Sequence, residues 1–358
     1  MTNPNSHPNT VLLLKTSSLG DIIHTLPAIT DAKKQLGDIK FHWVVEENFA
    51  EIPTWHPAVE KVISFVWRRV RKNLFAKSNR DELQQFYSSL RENRYHKIID
   101  NQGLLKSAIP ASLAHGPVWG LDYKSAREPI ASLFYNHKMA MDKAIHAITK
   151  NRMIFAQALN YSLPQTPVDY GVKLKPADMS SLGVGSGKNY YVFLHSTTWA
   201  SKHWPEEYWF ELCKIAGETS DIMLPWGNNQ EKERATRLVK AAPKRCHVTP
   251  KLTLTQLASL LANSKGVVSV DTGPAHLAAA VGSPTICLYG PTDPAKIGTT
   301  AQNHKHLTGS CDLAPCKKRN CPLPKTDKPQ PACFQVITPK KVFERLRAVE
   351  LNTNLEVN

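Results

Sequence analysis

"VLLLKTSSLGDIIHTLPAI", residues 11–29, is the stretch of sequence that decides the fold. Its first four residues form a short apolar run, which is typical of a buried strand in a parallel sheet. A helix start follows, with Thr25 as N-cap, Pro27 in the first turn and apolar residues at helical spacing up to Gly37. The stretch therefore predicts a strand, a turn and a helix, with one acid, Asp21, in the turn.

The same alternation of strand and helix recurs along the whole chain. In the first half, strands are predicted at 41–45, 62–66 and 97–100, and a helix at 104–113. In the second half, the predicted strands are 190–195, 221–225, 266–270 and 285–288, and the predicted helices are 205–216, 230–241, 255–261 and 274–280. This order predicts an α/β protein with parallel sheets that helices cover.

A segment rich in Gly, Ser and Pro at 169–188 separates the two halves and is typical of a linker. We therefore expect an N-terminal Rossmann-like domain at 1–172 and a C-terminal one at 188–338. An amphipathic helix is predicted within 339–358, and we expect it to pack back on the first domain.

The chain has 358 residues and a formal charge of +15, from 45 Lys and Arg against 30 Asp and Glu. Such an excess favours polyanionic partners, namely nucleic acid, phosphorylated small molecules or an anionic membrane surface. General solubility is the alternative explanation. No window approaches the roughly 20 apolar residues of a membrane span, and the run at 11–14 is too short for a signal core, so we expect a cytoplasmic protein.

Asp21 lies where a ligand is expected, because open parallel sheets bind ligands beyond the carboxyl ends of their strands. Gly20 lets the backbone approach a ligand closely. Ile22 and Ile23 are expected to lower the local dielectric and raise the pKa of Asp21, which suits a general base. The alternative is that Asp21 only caps the following helix.

The turn at Asp21 is one corner, meaning a turn that joins the end of a strand to the start of a helix. A second corner is "SVDTGPAH", residues 269–276, where a β-branched strand ends at Asp271. Thr272 and Gly273 present backbone N–H groups at a helix start, which is a good site for phosphate. The carboxylate of Asp271 and the ring of His276 favour a polar ligand there. A helix that is simply capped by a threonine is the alternative.

A third corner is "HSTTWASKHWPEEYW", residues 195–209. Thr197 and Thr198 place hydroxyl groups just past a strand, and Lys202 adds a mobile cation suited to phosphate. A surface lysine without a function is the alternative.

Basic residues are concentrated in "VWRRVRKNLF", residues 66–75, where Arg68, Arg69, Arg71 and Lys72 stand between aromatic residues. The segment could bind nucleic acid or phosphorylated lipid head groups, and Arg127 could add an anion contact. A solvated run of charge is the alternative.

Several common nucleotide and hydrolase motifs are missing from the sequence. It contains no G-x-G-x-x-G after a strand, no G-x-x-x-x-G-K-[ST] and no G-x-S-x-G. Nicotinamide binding, P-loop ATPase chemistry and serine hydrolysis of the α/β type are therefore disfavoured.

Taken together, several stretches make the chain similar to the ADP-heptose:LPS heptosyltransferase family of GT-B glycosyltransferases, from about Val11 to Gly298. They are "LLLKTSSLGDIIHTLPAITDAKKQ" (12–35), "FHWVVEENFAEIPTWHPAVEKVI" (41–63), "SAREPIASLFYN" (125–136), "SKHWPEEYW" (201–209), "LPWG" (224–227), "SVDTGPAHLAAA" (269–280) and "YGPTDP" (289–294).

The resemblance implies a GT-B fold, in which two Rossmann-like domains face each other across a cleft. It implies an inverting transfer of heptose from ADP-L-glycero-β-D-manno-heptose, with no cofactor or metal, to the inner Kdo of Kdo-lipid A. It also implies a cytoplasmic protein that contacts the anionic inner membrane peripherally, and we expect a monomer that does not bind nucleic acid. The alternatives are addition of the second heptose or, less favoured, a basic nucleic-acid-binding protein.

The resemblance also implies roles for particular residues. Asp21 falls at the catalytic base and Lys202 at the lysine that binds the diphosphate. The remaining donor-binding positions are Thr197, Thr198, Glu231, Leu252, Asp271, Thr272, Gly273 and His276. The acceptor-binding positions are Lys15, Gly20, Arg68, Arg69, Arg71, Lys72, Gln102 and Arg127.

Four of the seven cysteines, Cys311, Cys316, Cys321 and Cys333, lie in one loop rich in Pro and Lys. Loops of this kind resemble members that add the second heptose. A four-cysteine zinc site is one interpretation, but the sequence holds none of the C-x-x-C pairs of ordinary zinc ribbons. Reduced loop cysteines are the favoured interpretation for a cytoplasmic protein.

Overall fold

The structure is a computed structural model that describes residues 6–70, 76–175, 189–324, 327 and 329–356. The chain divides into two compact units, Met1–Lys173 and Leu174–Asn358. Most of the predicted linker, residues 176–188, lies outside the described residues.

The first unit contains a six-stranded sheet in which every neighbouring pair of strands is parallel. Its strand order is β3-β2-β1-β4-β5-β6. The strands are β1 (Ser6–Leu14), β2 (Lys40–Glu46), β3 (Val59–Phe65), β4 (Arg94–Asp100), β5 (Val118–Leu121) and β6 (His137–Met139).

Helices connect these strands. They are α1 (Leu19–Ile23), α2 (Leu26–Leu36), α3 (Glu51–Thr54), α4 (Trp67–Val70), α5 (Lys77–Arg91), α6 (Leu105–Leu113) and α7 (Ala147–Leu159), with 3₁₀ helices at Glu47–Phe49 and Pro129–Phe134. A buried ion pair, Arg152 Nε to Asp31 Oδ2 at 2.6 Å, joins α7 to α2.

The second unit repeats the same architecture, with a parallel sheet in the order β12-β11-β10-β7-β8-β9. The strands are β7 (Tyr190–Leu194), β8 (Asp221–Leu224), β9 (Cys246–Val248), β10 (Gly266–Val270), β11 (Thr285–Tyr289) and β12 (His304–Thr308). The helices are α8 (Glu206–Gly217), α9 (Asn229–Val239), α10 (Leu254–Ala262), α11 (Gly273–Ala280), α12 (Pro294–Ile297) and α13 (Pro339–Glu356), with 3₁₀ helices at Ala200–Lys202 and Ala332–Val336.

Both sheets have the Rossmann strand order, in which the first and fourth strands of the unit are neighbours. The chain leaves these two strands toward opposite sides, so a crevice opens at their carboxyl ends, between β1 and β4 in the first unit and between β7 and β10 in the second. The predicted α/β fold with two Rossmann-like domains is confirmed. It places the sequence corners at Asp21, at 195–209 and at 269–276 beside these crevices.

The last helix, α13, differs from the prediction. Its side chains Val342, Leu346 and Val349 are buried in the core of the second unit. Glu350 accepts a hydrogen bond from Tyr191 Oη at 2.8 Å and pairs with Lys265 Nζ at 3.2 Å. The prediction that this helix packs on the first domain is therefore wrong: its apolar positions cover the second sheet.

Several short or edge elements were not predicted, among them β5, β6, β9 and β12. None of the described helices has the length and apolarity needed to cross a membrane.

Candidate functional site

Asp21 is the third residue of α1, directly after the loop that leaves β1. Its Oδ2 accepts two hydrogen bonds from Ser18, from the backbone N at 3.0 Å and from Oγ at 2.9 Å. No described group donates a hydrogen bond to the other oxygen, Oδ1. Asp21 therefore caps α1 with one oxygen and leaves the second for another partner, so the capping role and a chemical role are compatible.

The pKa of Asp21 is shifted in the direction opposite to the expectation from Ile22 and Ile23. Burial by itself raises this pKa, but the Lys15 ammonium, the two Ser18 hydrogen bonds and Arg127 outweigh it. The pKa of Asp21 consequently lies below its usual range. Asp21 is ionised at neutral pH and can accept a proton, although it is not the strengthened base that we expected.

The loop between β1 and α1 is fixed by groups at the carboxyl end of β4. Gln102 Oε1 accepts from the backbone N of Thr16 at 3.0 Å and from that of Ser17 at 3.3 Å. The backbone N of Gln102 donates in turn to the buried carboxylate of Asp100 at 2.9 Å. Tyr135 Oη also donates to Asp100, at 2.7 Å. Two neighbouring strand ends thus hold the loop that leads to Asp21.

A cavity of about 440 Å³ opens beside Asp21 within the first unit. Its lining includes the cationic side chains of Lys15, Arg127, Lys143 and Lys150, and among the described lining residues Asp21 is the one acid. The other lining residues are Asn101, Gln102, Leu121, Ser125, Ala126, Ala147, Asn151 and Ile154. The cavity is therefore built for a polar ligand that carries negative charge.

Two of these lysines are perturbed by their surroundings. Burial lowers the pKa of Lys15, against the opposing effect of Asp21 and Asp100. Burial also lowers the pKa of Lys150, and Lys15 and Lys143 lower it further because they are cations. An anion bound among them would relieve this repulsion.

In the second unit, a buried ion pair joins the loop after β7 to the end of β10. Lys202 Nζ lies 2.8 Å from Oδ2 of Asp271, and Thr292 Oγ1 donates to the same oxygen at 2.6 Å. Thr197 Oγ1 donates to the backbone oxygen of Asp271 at 3.0 Å. Lys202 also lies over the ring of Trp199, 4.6 Å from its centroid.

Helix α11 begins directly after this ion pair. Thr272 is its N-cap residue but makes no side-chain capping hydrogen bond, and Pro274 lies in the first turn. The backbone N–H groups at this end and the positive end of the helix dipole stand next to Lys202, which together make a site suited to phosphate.

Arg234, on α9, anchors the loop that carries Thr197 and Lys202. Its Nη1 donates to the backbone oxygen of His195 at 3.2 Å and contacts His203 Nδ1 at 2.5 Å, and its Nε pairs with Glu206 Oε2 at 3.3 Å. Burial lowers the pKa of His203 to about 4, so its ring is neutral near pH 7 and can accept a hydrogen bond.

Comparison with known proteins gives one consistent result. The family model for glycosyltransferase family 9 (heptosyltransferase) matches residues 83–327. The chain is 45% identical to lipopolysaccharide heptosyltransferase 1 of Pseudomonas aeruginosa, over 95% of this chain and 98% of that protein. It is 48% identical to lipopolysaccharide heptosyltransferase 1 of Escherichia coli K12, over 82% of this chain and 91% of that protein.

The chain belongs to glycosyltransferase family 9. A solved structure of E. coli heptosyltransferase WaaC with ADP-2-deoxy-2-fluoro heptose superposes with a TM-score of 0.78 at 42% identity, over 95% of this chain and 99% of that one. The E. coli heptosyltransferase II structure shares the fold at 20% identity, with a TM-score of 0.72 over 96% of this chain and 99% of that one. The family resemblance seen in the sequence is confirmed.

In this family 9 protein, three of the predicted acceptor-side residues that the structure describes share one cavity with Asp21. Lys15, Asp21, Gln102 and Arg127 line the same cavity. Gly20 lies within α1 and does not line that cavity.

The predicted basic segment, residues 66–75, lies partly outside the residues that the structure describes. Arg69 is held by two acids, through Nη2 to Glu47 Oε1 at 3.0 Å and through Nη1 to Glu82 Oε1 at 2.7 Å. Arg68 belongs to α4, but its side chain is not among those described. Arg71 and Lys72 lie outside the described residues.

The donor-side residues of this heptosyltransferase gather more closely. Thr197 and Lys202 both contact Asp271, and Thr272 and Gly273 follow Asp271 directly in the chain. His276 is buried one turn further along α11. Thr198 is exposed, and Leu252 is half-buried in the loop before α10.

Glu231 has a structural use that the sequence did not reveal. Its Oε2 accepts from the backbone N of Gly227 at 2.7 Å, and its Oε1 accepts from Asn228 Nδ2 at 2.8 Å. Both oxygens therefore fix the loop between β8 and α9, and Glu231 still lies at the carboxyl end of a strand of the donor-side sheet.

The four cysteines of the loop are free thiols. In the part of the chain that is described, no group of three or more His, Cys, Asp or Glu side chains is arranged to hold a metal ion. Cys333 is buried, and burial together with the neighbouring Cys311, Cys321 and Cys316 raises its pKa to about 12. Its thiol is therefore protonated at neutral pH.

Sequence reasoning missed the cavity residues Lys143, Lys150 and Asn151, which lie on and before α7. A lysine before or on a helix looks like an ordinary surface residue, so no signal marked them. Asn101 was detectable, because it directly follows the buried strand β4. Thr292 was detectable too, because it stands in the quoted stretch "YGPTDP".

Proposed function

We propose that this chain transfers L-glycero-D-manno-heptose from ADP-heptose to the inner Kdo sugar of Kdo-lipid A, in assembly of the inner core of lipopolysaccharide. The relatives at 45% and 48% identity are lipopolysaccharide heptosyltransferases 1. The likeness to heptosyltransferase II is at the level of the fold, at 20% identity, which does not favour addition of the second heptose. Nucleic-acid binding would leave Asp21 and the turn at 269–276 without a role.

The observation that carries the proposal is the ionised carboxylate of Asp21 in a cavity lined by four cations. Kdo is a sugar acid, so its carboxylate complements Lys15, Arg127, Lys143 and Lys150. Bound there, the acceptor would be oriented toward the oxygen of Asp21 that makes no hydrogen bond within the described structure. Of the other predicted acceptor residues, Arg69 is held by acids, and Gln102 positions the loop before α1.

Asp21 is proposed as the general base. It takes the proton of the acceptor hydroxyl while that oxygen forms a bond to the anomeric carbon of heptose. The bond from the anomeric carbon to the phosphate oxygen breaks on the opposite face, and ADP leaves with the electron pair. The configuration is inverted, and the transition state resembles an oxocarbenium ion, as in glycoside hydrolysis.

Negative charge grows on the departing diphosphate, and the second unit is proposed to stabilise it. Lys202 supplies a cation, and the start of α11 at Thr272 and Gly273 supplies backbone N–H groups. Asp271 holds Lys202 in place before the donor binds. The remaining donor-side residues, Thr197, Thr198, Glu231, Leu252 and His276, are proposed to contact the nucleotide or the sugar.

The acceptor is attached to a lipid, so we propose that the protein works at the cytoplasmic face of the inner membrane and contacts it peripherally. ADP-heptose and Kdo-lipid A are then its two substrates, and the proposal requires no cofactor.

The test measures ADP release from ADP-heptose with Kdo-lipid A and, separately, with its mono-heptosylated form. The proposal predicts turnover with the first acceptor and at least about tenfold less with the second, because a filled position cannot be used again. A preference for the mono-heptosylated acceptor would make the protein the enzyme of the following step. ADP release that no acceptor stimulates would contradict a transferase.

A further inference from the structure

The outer surface of residues 122–134 in the first unit carries unusually exposed apolar side chains. Leu133 is 72% exposed, Tyr123 is 62% exposed and Ile130 is 56% exposed. Nine large hydrophobic side chains are exposed among the described residues. Leu133 and Tyr123 are the two most exposed of them, and Ile130 and Leu351 come next with equal exposure. The concentration of Leu133, Tyr123 and Ile130 in the eleven residues 123–133 indicates an interaction surface, because exposed apolar side chains are ordinarily scattered.

The geometry of the 3₁₀ helix Pro129–Phe134 directs two of them to one side. Such a helix has three residues per turn, so Ile130 and Leu133 lie one above the other. Ala131 and Ser132, between them, are buried against the unit. The helix packs on α6, whose Ile109 is 40% exposed.

The exposure is not the result of a loosely held segment. The backbone N of Asp122 donates to the oxygen of Met139 at 2.9 Å, and that of Glu128 donates to the oxygen of Gly103 at 3.0 Å. The carboxylate of Glu128 accepts from the backbone N of Leu105 at 2.8 Å, at the start of α6. The fold therefore holds the apolar side chains toward solvent.

The opposite side of the same segment lines the cavity beside Asp21. Ser125, Ala126 and Arg127 are lining residues, and Ser125 Oγ accepts from the backbone N of Met141 at 2.8 Å. One short segment thus meets the sugar site on its inner side and exposes apolar groups on its outer side.

Cations accompany the apolar side chains. Lys124 is exposed on the segment itself, and Lys138 is exposed close behind it in the sequence. The carboxylate of Glu128, also exposed, is engaged by the backbone N of Leu105. Apolar and aromatic groups with lysines beside them match the interface of an anionic bilayer, where the rings and alkyl chains enter the head-group region and the cations meet lipid phosphates.

We infer that the 122–134 surface docks on an anionic phospholipid bilayer and thereby brings the cavity beside Asp21 to an acceptor sugar that stands on its lipid. The link to the acceptor rests on the proposed function. Docking on the bilayer rests on the exposed residues and their charges alone.

The test uses the full-length protein and sedimentation with large unilamellar vesicles of phosphatidylethanolamine and phosphatidylglycerol. The double variant Ile130→Ser, Leu133→Ser is expected to lower the fraction bound at least about tenfold, because two apolar side chains no longer enter the bilayer. The matched control is Leu36→Ser, which changes a leucine of the same unit that is 41% exposed on α2. It is expected to bind as the wild type does.

Tyr123→Ser is an independent variant in a turn, and it is expected to weaken vesicle binding as well. Vesicle binding of both variants equal to the wild type would overturn the inference. Loss of a dimer in light scattering, with unchanged vesicle binding, would overturn it too and would assign the surface to a second copy of the chain.

A second readout separates this inference from the proposed function. With an acyl-free Kdo acceptor in solution, the double variant is expected to release ADP at the wild-type rate. With the acceptor embedded in vesicles, its kcat/KM is expected to fall at least about tenfold. If the wild type itself uses neither acceptor, the proposed function fails, while the vesicle-binding result still decides the docking surface.

Discussion

Lys202 Nζ lies 2.8 Å from Oδ2 of Asp271, and this ion pair links the loop after β7 to the start of α11. Only 14% of the Lys202 side chain and 4% of the Asp271 side chain are exposed. The carboxylate therefore keeps the lysine extended toward the end of the helix while no donor is bound. A diphosphate would compete with Asp271 for the same ammonium group.

Lys202→Met is expected to lower kcat for ADP release about 10²–10³-fold, because the charge on the departing diphosphate loses its cation. Lys202→Arg should retain part of the rate, since it keeps the charge but changes the shape of the group. The measurement is steady-state ADP release at saturating ADP-heptose. Lys214→Met, which removes an exposed lysine of α8, is the control, and a Lys202→Met enzyme with the control's rate would remove Lys202 from the mechanism.

Gln102→Leu is expected to lower kcat about tenfold, because the backbone N–H groups of Thr16 and Ser17 lose their acceptor and the loop before Asp21 loosens. Gln102→Glu keeps an oxygen in that position and should retain more activity. Amide hydrogen exchange at Thr16 and Ser17 is the direct measurement, with the exposed Gln84→Leu as control. If Gln102 only contacts the acceptor, KM will rise while the exchange of these amides stays slow.

Arg152→Leu is expected to lower the free energy of unfolding by about 3–5 kcal/mol, because the buried carboxylate of Asp31 then has no charged partner. The change also loosens α7, which places Lys150 and Asn151 in the cavity. Urea unfolding followed by circular dichroism measures it. The control Lys34→Ala breaks the exposed pair with Asp169 and should lower the free energy of unfolding by less than about 1 kcal/mol. Equal losses in the two variants would show that the buried pair stabilises the fold no more than the exposed one.

The pH dependence follows from the direction of the Asp21 shift. Because Lys15, the Ser18 hydrogen bonds and Arg127 hold the folded pKa below the unfolded one, this group's contribution to stability is complete above the unfolded pKa. That contribution is lost as the pH falls through the folded pKa. We expect kcat/KM to show no loss from protonation of Asp21 until the pH is below the pKa of an ordinary, solvent-exposed aspartate.

Ser18→Ala provides the matching test, because it removes the hydrogen bond from Oγ to Asp21 Oδ2 and keeps the carboxylate. For this variant, kcat/KM should begin to fall at a higher pH than for the wild type as the solution is acidified. Near pH 7 the two rates should be similar. If kcat/KM of the wild type already falls near neutral pH, the base is a different group, or the apolar neighbours Ile22 and Ile23 raise the pKa of Asp21 after all.

The central strands of both sheets, and the turns at Asp21, 195–209 and 269–276, could be predicted from the sequence. Buried apolar runs such as residues 11–14 of β1 and 266–270 of β10, followed by Gly, Thr or Asp and a helix start, indicate where the crevices open. The short strands β5, β6 and β9 hold only three or four residues each, which is too few for periodicity to mark them. Helix α13 was assigned to the wrong unit, since an amphipathic pattern shows that a face is buried without showing its partner.

The electrostatics of the site could not be predicted from neighbours in the sequence. Ile22 and Ile23 adjoin Asp21 along the chain, but Lys15 and Arg127 reach it through the fold and reverse the direction of its pKa shift. Lys143 and Lys150 were missed for the same reason, because only the packing of α7 brings them to the cavity.

The most direct measurement compares wild type and Asp21→Asn in ADP release with Kdo-lipid A, alongside ADP binding by calorimetry. Asparagine can still accept the Ser18 hydrogen bonds that cap α1, so the substitution removes the base and spares the helix start. We expect kcat to fall about 10²–10⁴-fold while the Kd for ADP stays within about twofold. Turnover of Asp21→Asn close to that of the wild type, with an intact fold, would contradict it.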